Sequence, residues 1–159
     1  PYLRPLTMYT ILQESRCDLM EQDIRWKQRF QNYDRAFILL RSALEDRELD
    51  DLSPLEQEGV IQRFEYTFEL AWKTLKDYLI DNGNSILPEI TVRTVIKEGF
   101  SAGILKDGQV FIDMMLSRNL LSHCYDQKKF MEVLIVLKSR YLPAMSDLHD
   151  FFLERQWME

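Results

Sequence analysis

Apolar residues recur at intervals of three and four along most of this chain, and this periodicity restricts it to a helical fold. Residues 20 to 49 carry Trp26, Phe30, Tyr33, Phe37, Leu40 and Leu44 at that spacing, which lines them up along one side of a long amphipathic helix. Ser53-Pro54-Leu55-Glu56 follows: a serine that can cap, a proline whose missing N–H costs nothing at the first helical position, and a glutamate three residues after the cap. A second helix is predicted from there, with Val60, Phe64, Phe68, Ala71, Trp72, Leu75 and Leu79 as its apolar stripe and Gly83 as a left-handed terminator.

Pro88 and the residues before it read as a loop. Thr91 can then cap a shorter helix that buries Val92, Val95, Ile96 and Phe100 and ends near Gly103. Asp107 can cap a fourth, with Val110, Phe111, Met114, Met115 and Leu121 inward. A fifth is predicted over residues 127 to 154, kinked or interrupted at Pro143, which has no N–H for the carbonyl of Ser139. No alternating strand pattern competes. The expected fold is therefore all-α, an antiparallel up-and-down bundle of four to five helices in one domain over residues 20–159. Residues 1–19, with Pro1 and Pro5 before a modest helical stretch, read as an N-terminal appendage.

Five glycines, five prolines and 46% hydrophobic residues fit a folded, helix-rich chain rather than a disordered one. The longest apolar runs are far shorter than a bilayer span, and no secretory pattern is visible, so a soluble cytoplasmic protein is expected. Cys17 and Cys124 are too few for a disulfide framework or a four-thiolate zinc site. The net charge of −6 argues against a general nucleic-acid coat. The excess sits between residues 45 and 58, where seven carboxylates face Arg47 alone. By contrast Arg118, Lys128, Lys129, Lys138 and Arg140 outnumber Asp126 and Glu132 further on, enough for a local phosphate-binding surface or simply a solvated face.

The stretch Arg118-Asn119-Leu120-Leu121-Ser122-His123-Cys124-Tyr125-Asp126 combines an arginine with one of two histidines, a tyrosine and a carboxylate. On a straight helix Arg118, Ser122 and Tyr125 form one stripe, and Asn119, His123 and Asp126 the next. Arg118 and His123 are then separated by about 7.5 Å of rise and about 140° of rotation, which favours a large ligand or a site completed by a second subunit. The set suits metal-independent cleavage of RNA: histidine moving the proton, arginine stabilising charge on phosphorus, Asn119 orienting the phosphate and Asp126 fixing a histidine tautomer. The plain structural alternative has Arg118 paired with Asp126 or a neighbouring helix and His123 as a capped, half-buried residue at a helix end. Cys124 beside His123 is not a nucleophile pair, because adjacent helical residues point about 100° apart. His149 reads as a surface helix residue, and Phe64, Phe68 and Trp72 as core rather than a base-stacking platform. Glu65, Glu69, Lys73 and Lys76 line one side of the second helix, with Glu69 and Lys73 in the favourable order for an ion pair. Nothing in the chain supplies a glycine-rich phosphate loop, or the Gly-Ser and Asp-x-Asp that hold two magnesium ions at a triphosphate, so this chain alone is not expected to transfer nucleotides.

Arg63-Phe64-Glu65-Tyr66-Thr67-Phe68-Glu69-Leu70-Ala71-Trp72-Lys73-Thr74-Leu75-Lys76-Asp77-Tyr78-Leu79, Val95-Ile96-Lys97-Glu98-Gly99-Phe100-Ser101-Ala102-Gly103 and residues 113–126 resemble, in order and spacing, the nucleotidyltransferase substrate-binding protein family of the HEPN superfamily. The likeness runs from about residue 20 to about residue 152. It implies a dimerising helical bundle encoded beside a separate minimal nucleotidyltransferase, the partner supplying the missing transferase residues, magnesium and nucleoside triphosphate. This chain itself is then expected to need no cofactor or metal. HEPN proteins carry a ribonuclease site across the dimer that maps onto Arg118, Asn119 and His123. In related toxin–antitoxin pairs the transferase adds AMP to the tyrosine two after the histidine, here Tyr125. Ser122 and Asp126, with Glu69, Trp72 and Lys73, are the expected supporting or substrate-binding residues. Three readings follow: a subunit that binds the transferase's nucleotide or phosphate-bearing substrate or is its target, a ribonuclease toxin acting on RNA, and a structural dimer whose acidic hairpin at Asp50 and Asp51 docks a partner.

Overall fold

The computed structural model describes the backbone of residues 6–83, 89–123 and 126–158, with side chains from residue 25 onward. Among these residues the chain forms five helical rods and no strand. Helix α1 (Leu6–Leu44) is a single rod of 39 residues, so the helical stretch of the appendage runs into the first bundle helix without a break. Its predicted stripe is the core: Trp26, Phe30, Tyr33, Phe37, Leu40 and Leu44 are all buried. A short 3₁₀ turn, Leu49–Asp51, reverses the chain. Helix α2 (Pro54–Asp81) opens on the expected capping box, with Ser53 and Glu56 each accepting the other's backbone N–H. Arg47 holds Glu56 at 2.8 Å, and this pairing with the Ser53 bonds draws the Glu56 carboxyl down to about 2. Residue 83 must be left-handed to end the helix, and Gly83 sits at φ 65°.

Helix α3 (Val92–Ser101) starts at a Thr91 cap and lies so close to α2 that a Cβ at Gly99 would be 2.7 Å from Leu75 Cδ2, and the leucine would have to shift to admit it. Of its four predicted inward residues, Val95 and Ile96 are buried and Val92 packs at the core margin. Phe100 is not; it is 54% exposed, beside Gly108 where the next helix begins. Helix α4 (Gly108–Leu121) begins at Asp107, whose carboxylate accepts from Gln109 and Val110 N–H.

The last rod is α5 (Gln127–Val136), a π-helical turn (Leu137–Tyr141) and α6 (Leu142–Arg155). The interruption predicted from Pro143 takes this form. Just before the proline, where an α-helical bond to the Ser139 carbonyl has no donor, the turn widens and Leu142 N–H donates five residues back to Leu137. The core continues through Leu134, Met145, Leu148 and Phe152. The α6 segment returns on α1, where the buried Tyr33 hydroxyl donates to the Met145 carbonyl at 2.8 Å. Burial, with Asp150 nearby, pushes that phenol far above its ordinary range. His149 contradicts the surface assignment: it is 6% exposed, ringed by Phe30, Tyr33 and Phe37, and bonded through Nε2 to Asp34 Oδ1 at 2.6 Å. Its place on α6 faces α1, and periodicity alone cannot reveal that a neighbouring helix supplies a carboxylate. No described helix is long and apolar enough to cross a membrane.

Candidate functional site

Helix α4 crosses α2, and this crossing determines what Arg118 touches. Leu121 is buried and fixes the last turn, while Asn119 is exposed beside it. Arg118, half-buried, reaches α2 and donates from Nη2 to Glu69 Oε2 at 3.3 Å. Glu69 is a hub: Lys73 Nζ lies 2.8 Å from its Oε1, and Trp72 Nε1 donates to its Oε2 at 3.0 Å. Lys73 also stands 5.8 Å from the Trp72 ring centroid. Partial burial raises the Glu69 carboxyl, but hydrogen bonds from Lys73 and Trp72 and the charges of Lys73 and Arg118 outweigh it, so the net shift is below the ordinary glutamate range. One turn earlier Glu65 shifts the other way, raised by burial despite the attraction of Arg118.

Thus Glu69, Trp72 and Lys73, forty-odd residues earlier in the chain, meet Arg118 in one cluster, and the neighbouring-helix pairing is the one adopted. The straight-helix stripes over residues 118–126 are not. Helix α4 stops at Leu121; Ser122 bonds back through Oγ to the Arg118 carbonyl at 3.0 Å, and His123 N–H closes a tight turn on Leu120 at 3.2 Å. Ser122 and His123 are both exposed on this turn. Asp126 serves as the N-cap of α5, its Oδ1 accepting Lys128 N–H at 3.0 Å. Cys124 and Tyr125, with the loop around Pro88, lie outside the described residues.

Among the described residues, three of the five basic side chains between 118 and 141 are engaged in separate pairings. Arg118 is on Glu69, Arg140 pairs with Asp113 at 3.3 Å, and Lys138 Nζ donates to the Arg47 carbonyl at 2.6 Å. An open groove of about 370 Å³ beside the turn is bordered by Ser122, Leu121 and Phe130 but also by Glu58 and Glu65. Sequence reasoning passed over Ser117, whose hydroxyl meets that of Tyr141 at 2.8 Å. Tyr141 stacks on Phe64 with centroids 5.7 Å apart, so this bond steadies α4 one residue before Arg118. Its only sequence signal was the neighbour, since the partner lies on the π turn.

Chemically, the end of α4 offers a guanidinium held by an ionised carboxylate, an amide, a hydroxyl and an imidazole on an open surface. Such a surface suits a macromolecule or an extended phosphate-bearing ligand better than an enclosed small molecule.

Comparison with known proteins gives a consistent result. A Haemophilus influenzae protein named probable ribonuclease HepT is 29% identical over 110 residues, covering 63% of this chain and 75% of its own. A solved structure from Thermus thermophilus superposes with a TM-score of 0.61 at 31% identity, spanning 79% of this chain and 98% of that one. A Haemophilus influenzae structure, described as revealing the fold of a substrate-binding domain of a nucleotidyltransferase, gives 0.62 at 27% identity over 76% and 96%. The family model described as nucleotidyltransferase substrate binding protein like matches residues 28–154. This chain therefore belongs to the nucleotidyltransferase substrate-binding protein family.

Proposed function

We propose that this chain is the non-transferase subunit of a two-chain nucleotidyltransferase system in the cytoplasm. The end of α4 is the face it presents, either binding the transferase's nucleotide or phosphate-bearing substrate or serving as its target. The observation that carries this reading is the exposed polar turn, with Asn119, Ser122 and His123 open to a large partner and Arg118 anchored beside them on Glu69. Tyr125 is the residue for AMP addition. Magnesium and the nucleoside triphosphate belong to the partner, since the sequence carries no Gly-Ser with Asp-x-Asp to hold them. A homodimer brings two such turns together. Intact mass spectrometry after co-expression with the neighbouring transferase tests it: AMP increments that vanish in Tyr125→Phe mark this chain as the target. Absence of increments, of a complex and of nucleotide binding together sinks the proposal.

A second reading is favoured by the relative named probable ribonuclease HepT. Arg118, Asn119 and His123 would then cleave RNA without a metal, the arginine stabilising phosphate charge and the histidine handling the 2′-hydroxyl proton. RNA cleavage in EDTA should fall at least about a hundredfold in Arg118→Ala and His123→Ala. Equal cleavage by both variants and the unaltered chain rejects it.

A further inference from the structure

Helices α3 and α4 leave between them a groove of about 730 Å³ that the proposed site does not use. Its apolar wall includes Phe100, Ile112 and Leu116, and its rim carries Arg93, Lys97 and Lys106. Phe100 and Leu116 are 54% and 52% exposed, an aromatic and a leucine facing water across one furrow. Lys106 also pairs with Asp147 at 3.0 Å while remaining well exposed. The carboxylate in the lining, Asp107, is occupied as the N-cap of α4. In a chain of net charge −6, this furrow is a local reversal of sign.

The charge pattern selects the occupant. A second copy seated here about a two-fold axis would bring Arg93, Lys97 and Lys106 against themselves, which costs affinity. The chain's own acidic hairpin is out of reach: Gly99 packs on Leu75, and from there back to Pro54 α2 spans about 31 Å. The furrow runs between two helices and is open along its length, the form that accepts a helix laid in a groove. Ile112 and Leu116 lie on α4 itself, about 10 Å and about 4.5 Å before Asn119 along the same helix, so a segment bound here ends close to that residue.

We infer that this groove docks a segment of the transferase partner in which apolar residues at three- and four-residue spacing are flanked by aspartates or glutamates. The inference rests on the two-chain reading above. Docking here holds the transferase beside the turn it acts on, without occupying that turn.

The test is titration of the purified full chain with the purified transferase chain. It compares the unaltered protein with the Arg93→Glu, Lys97→Glu double variant and with Phe100→Ser. All three positions are exposed, so far-UV circular dichroism and melting should match the unaltered chain. Expected is a loss of affinity of about tenfold or more in each, the charge variant's deficit narrowing between about 0.1 M and about 0.5 M salt while that of Phe100→Ser persists. If the unaltered chain does not bind the transferase, the two-chain reading fails and this inference with it. If the unaltered chain binds and both variants bind within about twofold of it, the groove assignment alone is overturned. It is also overturned if sedimentation shows the variants losing self-association while their affinity for the transferase is unchanged.

Discussion

Replacing Glu69 by glutamine should loosen the α2–α4 crossing by a calculable amount, and only above acid pH. Glu69 accepts from Trp72 Nε1, Lys73 Nζ and Arg118 Nη2 at 3.0, 2.8 and 3.3 Å. The amide oxygen can keep the indole bond but forfeits both charge pairs. An i,i+4 pair contributes about 0.3–0.5 kcal/mol, and a partly exposed cross-helix pair up to about 1 kcal/mol. The Glu69 side chain is 29% exposed, so the upper end of that range is appropriate, giving about 1–1.5 kcal/mol for Glu69→Gln. In a domain of this size that lowers Tm by about 3–5 °C. The pH dependence follows from the depressed carboxyl. A group whose folded pKa lies below its unfolded value, about 4.3 for glutamate, stabilises above that value and loses its contribution as pH falls through the folded one. Melting followed by circular dichroism at about pH 7 should therefore separate the two proteins, and the gap should narrow steadily below about pH 4. A double-mutant cycle with Arg118→Ala isolates the cross-helix term at about 0.5–1 kcal/mol. Equal Tm at neutral pH, a gap that persists in acid, or strict additivity in the cycle would refute the reasoning.

Three further outcomes follow from the packing. Gly99→Ala places a methyl 2.7 Å from Leu75 Cδ2 and should cost about 1–3 kcal/mol in urea unfolding, with partial recovery when Leu75 is shortened to valine. Tyr33→Phe removes the buried bond to the Met145 carbonyl, which keeps its helical partner one turn on, so stability should fall by about 0.5–1.5 kcal/mol in the same assay. His149→Ala opens a cavity among Phe30, Tyr33 and Phe37 and unpairs Asp34, so a loss of about 2–4 kcal/mol is expected by denaturant titration, whereas a surface residue would change stability by less than about 0.5.

Local chemistry was readable wherever it is written within a few residues. The capping box at Ser53, the caps at Thr91 and Asp107 and the left-handed Gly83 each depend on residues within four positions of one another, and each formed as expected. Phe100 illustrates a limit: its spacing on α3 is right for burial, yet whether a stripe is covered depends on where α4 begins. At the candidate site Arg118, Asn119 and His123 were legible as residue types in a pattern. The error lay in extending α4 through residue 126, because Asp126 caps the next helix and the chain must turn at Ser122 to let it do so. A string of polar residues reads equally well as a helix's last turn or as the turn after it.

By itself the sequence determined that the chain is a helical bundle, where α2 to α5 begin, and most of the apolar stripes that face inward, since periodicity and capping are short-range properties of the backbone. Only the tertiary structure decided which polar groups meet. It joined Glu69 to Arg118 across 49 positions and Asp34 to His149 across 115, and it left the basic furrow between α3 and α4 open. Such pairings depend on crossing angle and axial offset between helices, and these are set by how large side chains such as Phe64, Leu75 and Met145 interlock in the core rather than by any local pattern.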